Sequence, residues 1–170
     1  MKSYPRQKIL RASLTFALAI AALGVLAAKD AFAQSASGEL KGIGQVKVFV
    51  TDVNQFSTSC DLDRASIQQA FVEPLSEKGL KIAESSAYWV VIRATTVASD
   101  SRGCLTSIDA TVLQNTKYFN QATKEERVGR IQHWYRGGLH FSDRDDHRDI
   151  INDAFRTLGA GLAQDWAGDQ

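Results

Sequence analysis

Cysteine is nearly missing from this chain: 170 residues contain two, Cys60 and Cys104, and they form no C-x-x-C pair. That removes the usual signature of a thioredoxin-like redox site. Also missing are G-x-S-x-G, H-E-x-x-H and a glycine-rich phosphate loop. Serine-hydrolase, zincin and nucleotide-phosphate chemistry are therefore left without their motifs. Charge of one sign is lacking too, with 20 basic and 19 acidic residues. Fifteen of those basic and 18 of those acidic residues lie beyond residue 33, a balance of −3. A mildly acidic domain with dispersed charge has no electrostatic footprint for nucleic acid or anionic lipid, so neither is an expected partner.

One long apolar run is present, and it stands at the start. Lys2, Arg6, Lys8 and Arg11 precede an apolar stretch from Ala12 to Ala28, and Ala31-Phe32-Ala33 follows as a small-x-small cleavage site. This is the pattern of an export signal, removed before Gln34. The competing reading, a single membrane anchor, needs about 20 apolar residues, and the stretch is shorter. No cysteine near the cleavage site offers a lipid attachment point. The expected product is a periplasmic protein with no stable membrane insertion. It would comprise a small, glycine-rich flexible leader over 34–44 and a single domain over 45–170.

Export carries both cysteines into an oxidising compartment, where a Cys60–Cys104 disulfide is the expected state. The alternative is a reactive thiol, for which Gly103 and Arg102 before Cys104 give slight support.

Period-two and period-3.6 patterns organise the rest. Val46–Val53 alternates as a strand, and a helix runs from Asp61 or Asp63 to Lys78 with Ile67, Ala70, Phe71 and Leu75 on one face. Pro74 lies inside that helix and Gly79 ends it. Leu80-Lys81-Ile82 is a short extended segment. Ala87–Val97 and Cys104–Gln114 are strands, the second with one wet face. Asn115–Glu126 reads as a polar hairpin loop, and Arg127–Phe141 as a strand bent at Gly137-Gly138. Ser142-x-x-Asp145 approximates a capping box for a last helix. In that helix Ile151, Phe155, Leu158, Leu162 and Trp166 form the apolar stripe, with Arg156, Gln164 and Asp165 pointing outward.

The order β-α-(β)-β-β-β-α implies an α+β two-layer sandwich, with a mixed, mostly antiparallel sheet and two helices on one face. Val46–Val53, then Leu75…Gly79-Leu80-Lys81-Ile82, then Ala87-Tyr88-Trp89-Val90-Val91-Ile92 carry a resemblance to a group of small periplasmic α/β domains. These are the N-terminal domain of the Tol-Pal translocation protein, the curli-pore lipoprotein and the lipopolysaccharide-transport plug lipoprotein. The lipidated cysteine of the two lipoproteins is absent here. The resemblance implies envelope assembly or ligand binding rather than catalysis.

Few residues nominate a site. His133, His140 and His147 are spaced seven apart, which is not metal-ligand spacing, so no metal or other cofactor is expected. Asp143 to Asp149 mimics part of a Ca²⁺ loop, but Arg148 and Ala154 stand where the sharp-turn Gly and the bidentate Glu belong. The run reads as carboxylates at a helix N-terminus. His133-Trp134-Tyr135-Arg136 is the candidate binding segment, since aromatic residues and arginine dominate binding hot spots. On a regular strand Trp134 and Arg136 share one face, and His133 and Tyr135 the other. The leading functional reading is a non-catalytic binding or assembly module whose partner is an envelope protein or small ligand. The rival is a small exported hydrolase using His133 or the strand-central Asp109. A cleft joining Asp109 to a histidine would favour the rival, and an open aromatic sheet face or a free strand edge would favour binding.

Overall fold

The structure is a computed structural model that describes residues 39–53, 57, 59–98 and 103–170. The export signal, the cleavage site before Gln34 and the first part of the leader lie outside the described residues. Among the described residues the order is β1 (Gln45–Thr51), α1 (Arg64–Glu77), β2 (Lys81–Ile82), β3 (Tyr88–Ala98), β4 (Gly103–Asn120), β5 (Glu125–Asp143) and α2 (Arg144–Asp169). The strands form one sheet in the order β2-β1-β3-β4-β5. β1 runs parallel to both β2 and β3, while β3, β4 and β5 form an antiparallel meander. This is the expected α+β sandwich.

Alternation along each strand sends Val46, Val48, Val50, Val90, Ile92, Ile108 and Val112 into the core. Ile67, Phe71 and Leu75 of α1 and Ile151, Phe155 and Leu162 of α2 meet them there. Asp63 caps α1, its carboxylate accepting the Ser66 N–H at 2.9 Å, and Ser66 holds that carboxyl below its ordinary value. Gly79, at φ +90°, follows the helix in the left-handed region that glycine adopts without strain.

Five local expectations change. The capping box before α2 does not form: Asp143 is the N-cap, without a side-chain cap bond, and the Ser142 hydroxyl instead meets His147. β5 runs unbroken through Gly137-Gly138, and its irregularity lies upstream, opposite Val112 and Leu113. The polar stretch 115–126 is mostly not loop. β4 and β5 stay paired out to Asn120 and Glu125, beyond the last β3 partner at Gln114, so their distal part is a two-stranded ribbon. Its polarity reflects the absence of a third strand alongside, not loop structure. Asp165, expected to face outward, accepts from Trp134 and Arg136. Finally, residues 39–44 are not a loose leader. Leu40 and Ile43 are buried, the Leu40 N–H donates to Asp169, and the Trp166 indole N–H donates to the Ile43 carbonyl.

The glycines of α2 have steric causes. A Cβ on Gly159 would run into the backbone carbonyl of Phe71 in α1, and one on Gly161 would sit 2.7 Å from the Arg136 guanidinium. Gly159 thus sets how closely the helices cross. Gly159→Ala should destabilise the fold by about 1–3 kcal/mol through overpacking, despite regaining about 1 kcal/mol of helix propensity. Denaturant titration checks this, and an unchanged or higher midpoint would contradict the close crossing.

Candidate functional site

The four-residue binding segment does not converge on one face, and a bulge is the reason. Val112 pairs with Trp134 but Leu113 pairs with Gln132, so His133 has no partner in the register. One extra residue breaks the alternation and leaves His133 on the same side as Trp134. There the His133 ring packs edge-on against Tyr88 at 5.6 Å. Its nitrogens reach the Glu39 carbonyl and the Gln114 side chain, each at 3.0 Å. Trp134 is buried, and its indole N–H donates to Asp165 at 2.7 Å. Arg136 donates to the same carboxylate oxygen at 2.9 Å. These three residues clasp α2 and the 39–44 segment to the sheet. Tyr135 alone points the other way.

The helix-covered side also holds a chain of buried hydroxyls. Thr96 Oγ1 lies 2.9 Å from Thr106 Oγ1, which lies 2.7 Å from His147 Nε2; His147 Nδ1 lies 2.7 Å from Ser142 Oγ. Ser142 Oγ also lies 3.1 Å from the Asp143 carbonyl oxygen, which accepts from it. His147 is fully buried, and burial, aided by His140, holds its pKa below the ordinary value. A histidine whose folded pKa is depressed stabilises the fold fully above the unfolded value of about 6.5. That contribution is lost as pH falls through 6.5 and on through the lower folded value. Urea midpoints at about pH 7.5 and about pH 5 should therefore fall further for the wild type than for His147→Gln. Equal falls would contradict this role.

Two clefts are lined wholly by described residues, and neither contains Asp109 or a histidine. One of about 390 Å³ is lined by Gly44, Gln45, Lys81, Ser86, Ala87 and Tyr88. The other, about 220 Å³, lies between the helices around Glu73, Asn152 and Arg156. Among the described residues no group of three His, Cys, Asp or Glu is placed to hold a metal ion.

What remains is the second face of the sheet, which no described helix covers. The strand registers arrange it in rows. Phe49, Val91, Thr111 and Tyr135 form one row, and Thr51, Arg93, Asp109 and Gly137 the next. Thr95, Ser107 and Leu139 follow, then Val97, Leu105 and Phe141. Tyr135, Val97, Leu139 and Phe141 are each more than half exposed, at 51, 58, 66 and 69%. Apolar surface gathered in this way is more than the ordinary scatter of single exposed side chains.

A single ion pair sits among these residues. The Arg93 guanidinium grips Asp109 in a fork, with Nε 3.0 Å from both oxygens and Nη2 2.8 Å from Oδ2. That hydrogen bonding holds the Arg93 pKa above its ordinary value despite partial burial. Gly137 makes the arrangement possible, because a Cβ there would lie 2.8 Å from the Ile108 carbonyl oxygen and 3.2 Å from the Tyr135 hydroxyl. β5 is also a sheet edge, 19 residues long.

Sequence reasoning reached Tyr135 and Asp109 but not Phe49, Arg93, Val97, Leu139 or Phe141. A usable signal was present. β3 is apolar in both phases of its alternation, and Tyr135, Leu139 and Phe141 share one phase of β5. The two helical stripes beyond residue 45 suffice to cover one face of the sheet.

No protein-family model matches the chain, and no curated protein matches it. Among solved structures it is similar to PelC of Paraburkholderia phytofirmans, at 8% identity and a TM-score of 0.47, over 78% of this chain and 93% of that one. It is also similar to a minor lipoprotein of Acinetobacter baumannii, at 8% identity and a TM-score of 0.31, over 72% of this chain and 94% of that one.

Proposed function

We propose that this protein is an exported, non-catalytic binding or assembly module of the bacterial envelope, and that the uncovered sheet face is its binding surface. One observation carries the reading: a broad apolar β-face, uncovered by the described chain, with a fixed ion pair at its middle. Apolar contact supplies affinity there, and the oriented Arg93–Asp109 pair supplies register and selectivity. The hydrolase reading finds less support. Asp109 is engaged by Arg93 on one side of the sheet, whereas His133 and His147 serve packing on the other.

Leu139→Asp combined with Phe141→Asp tests the surface. Both residues are exposed, so the change should leave stability within about 0.5 kcal/mol. It should also abolish co-migration of the protein with larger particles during gel filtration of envelope extract. Co-migration equal to wild type would contradict the reading. The exported form should begin at Gln34, which an intact mass of envelope-fraction protein determines. Recovery of the full-length chain in the membrane fraction would contradict export by signal cleavage.

A further inference from the structure

We propose that the occupant of the uncovered face is a second copy of this chain, docked face to face about a two-fold axis that runs along the strands between β3 and β4. The inference rests on the binding-face reading above and names the partner.

Position is the first argument. The residues of this face fall into five rows, from Lys47, Trp89, Leu113 and Gln132 at one end to Val97, Leu105 and Phe141 at the other. Arg93 and Asp109 occupy the third row and lie on β3 and β4, the middle strands of the four that line the face. The charges are therefore central, where a partner would cover them. A central charge pair that becomes dry is costly unless it meets complementary charge.

Charge selects the geometry. A face-to-face dimer has its two-fold axis in the plane of the interface. An axis across the strands would stack Arg93 on the copy's Arg93 and Asp109 on the copy's Asp109. An axis along the strands lays β3 over the copy's β4, so each guanidinium faces the other chain's carboxylate. One cation and one anion side by side are self-complementary under that axis. The same operation lays β5 over the copy's β1. Tyr135 and Phe49, which share a row, then meet across the interface twice, once for each copy. Sheets packed in this way lie about 10 Å apart with strands within about 30° of alignment.

Area agrees with the assignment. Four strands about 4.8 Å apart, over about nine residues rising about 3.3 Å each, give a face of roughly 500 Å². Two such faces reach the roughly 1,000 Å² expected of a specific interface.

Sedimentation equilibrium of the exported protein, with Arg93→Asp and Asp109→Arg chains studied separately and mixed, tests the proposal. Wild type should be dimeric at micromolar concentration. Each single reversal puts two like charges on its face and should weaken self-association at least about 100-fold. Mixing the two variants in equal amounts should restore a dimer, since two carboxylates then meet two guanidinium groups. Near-ultraviolet circular dichroism reports whether each variant is folded. If a reversal prevents folding, Leu139→Asp, which leaves the ion pair intact, should give the same loss. A monomeric wild type at about 100 µM would overturn the proposal. So would a dimer that survives every variant, or reversals whose mixture stays monomeric. A monomeric wild type whose Leu139→Asp, Phe141→Asp variant still loses co-migration with envelope particles would overturn the second copy alone and leave the binding face standing.

Discussion

Phe155→Ala should lower stability by about 3–5 kcal/mol, the range for deleting a fully buried aromatic ring. Phe155 is completely buried in α2, between Ile151 and Leu158 of the same stripe, within the core shared by both helices and the sheet. Local preference does little to hold the helix. Gly159 and Gly161 each cost about 1 kcal/mol of propensity, and its N-cap residue makes no side-chain cap bond. Tertiary packing must therefore supply most of its stability. Denaturant midpoints of wild type and variant give the difference directly. An unchanged midpoint would mean that the stripe is not the core.

The other large effect belongs to the disulfide. Cys60 and Cys104 are bonded, with Cα atoms 6.2 Å apart and a separation of 44 residues. In the chain-entropy model a loop of that length is worth about 4 kcal/mol. Both residues are fully buried, and the bond ties the segment before α1 to the start of β4. Replacing both by Ala should bring the unfolding midpoint down by an amount equivalent to about 4 kcal/mol. A midpoint that stays in place, or two thiols that label in the denatured, unreduced wild type, would contradict the bonded state. The reactive-thiol reading has no free cysteine among the described residues to act on.

The first effect concerns a stripe that periodicity revealed, whereas the disulfide was expected from export of a chain with two cysteines. The alternation of Val46, Val48 and Val50 and the helical spacing of Ile151, Phe155 and Leu162 report which side of an element is dry. The same patterns could not report what depends on register. His133 changes side because one residue is added opposite Val112 and Leu113, a feature with no signature in composition. Asp165 reads as an outward carboxylate by angle, yet Trp134 and Arg136 from a strand 29 to 31 residues away reach it. Leu40 and Ile43 look like leader residues because the groups that hold their segment, His133 of β5 and Trp166 and Asp169 of α2, lie far along the chain. The distal ribbon of β4 and β5 is polar because it runs beyond the last β3 partner, as a pair of strands alone among the described residues. The candidate site was legible only in fragments. Asp109 stood out as a charge in mid-strand, but its partner Arg93 lies 16 residues away, and only antiparallel register joins them.

The account turns on whether the uncovered face is occupied where the protein works. A photo-crosslinking amino acid placed at Leu139, an exposed residue of that face on β5, tests this in intact cells, with Gln164 on the exposed side of α2 as the control position. The account expects a discrete adduct from position 139, at twice the mass of the chain if the occupant is a second copy, and none from position 164. No adduct from position 139, or the same adducts from both positions, would contradict it.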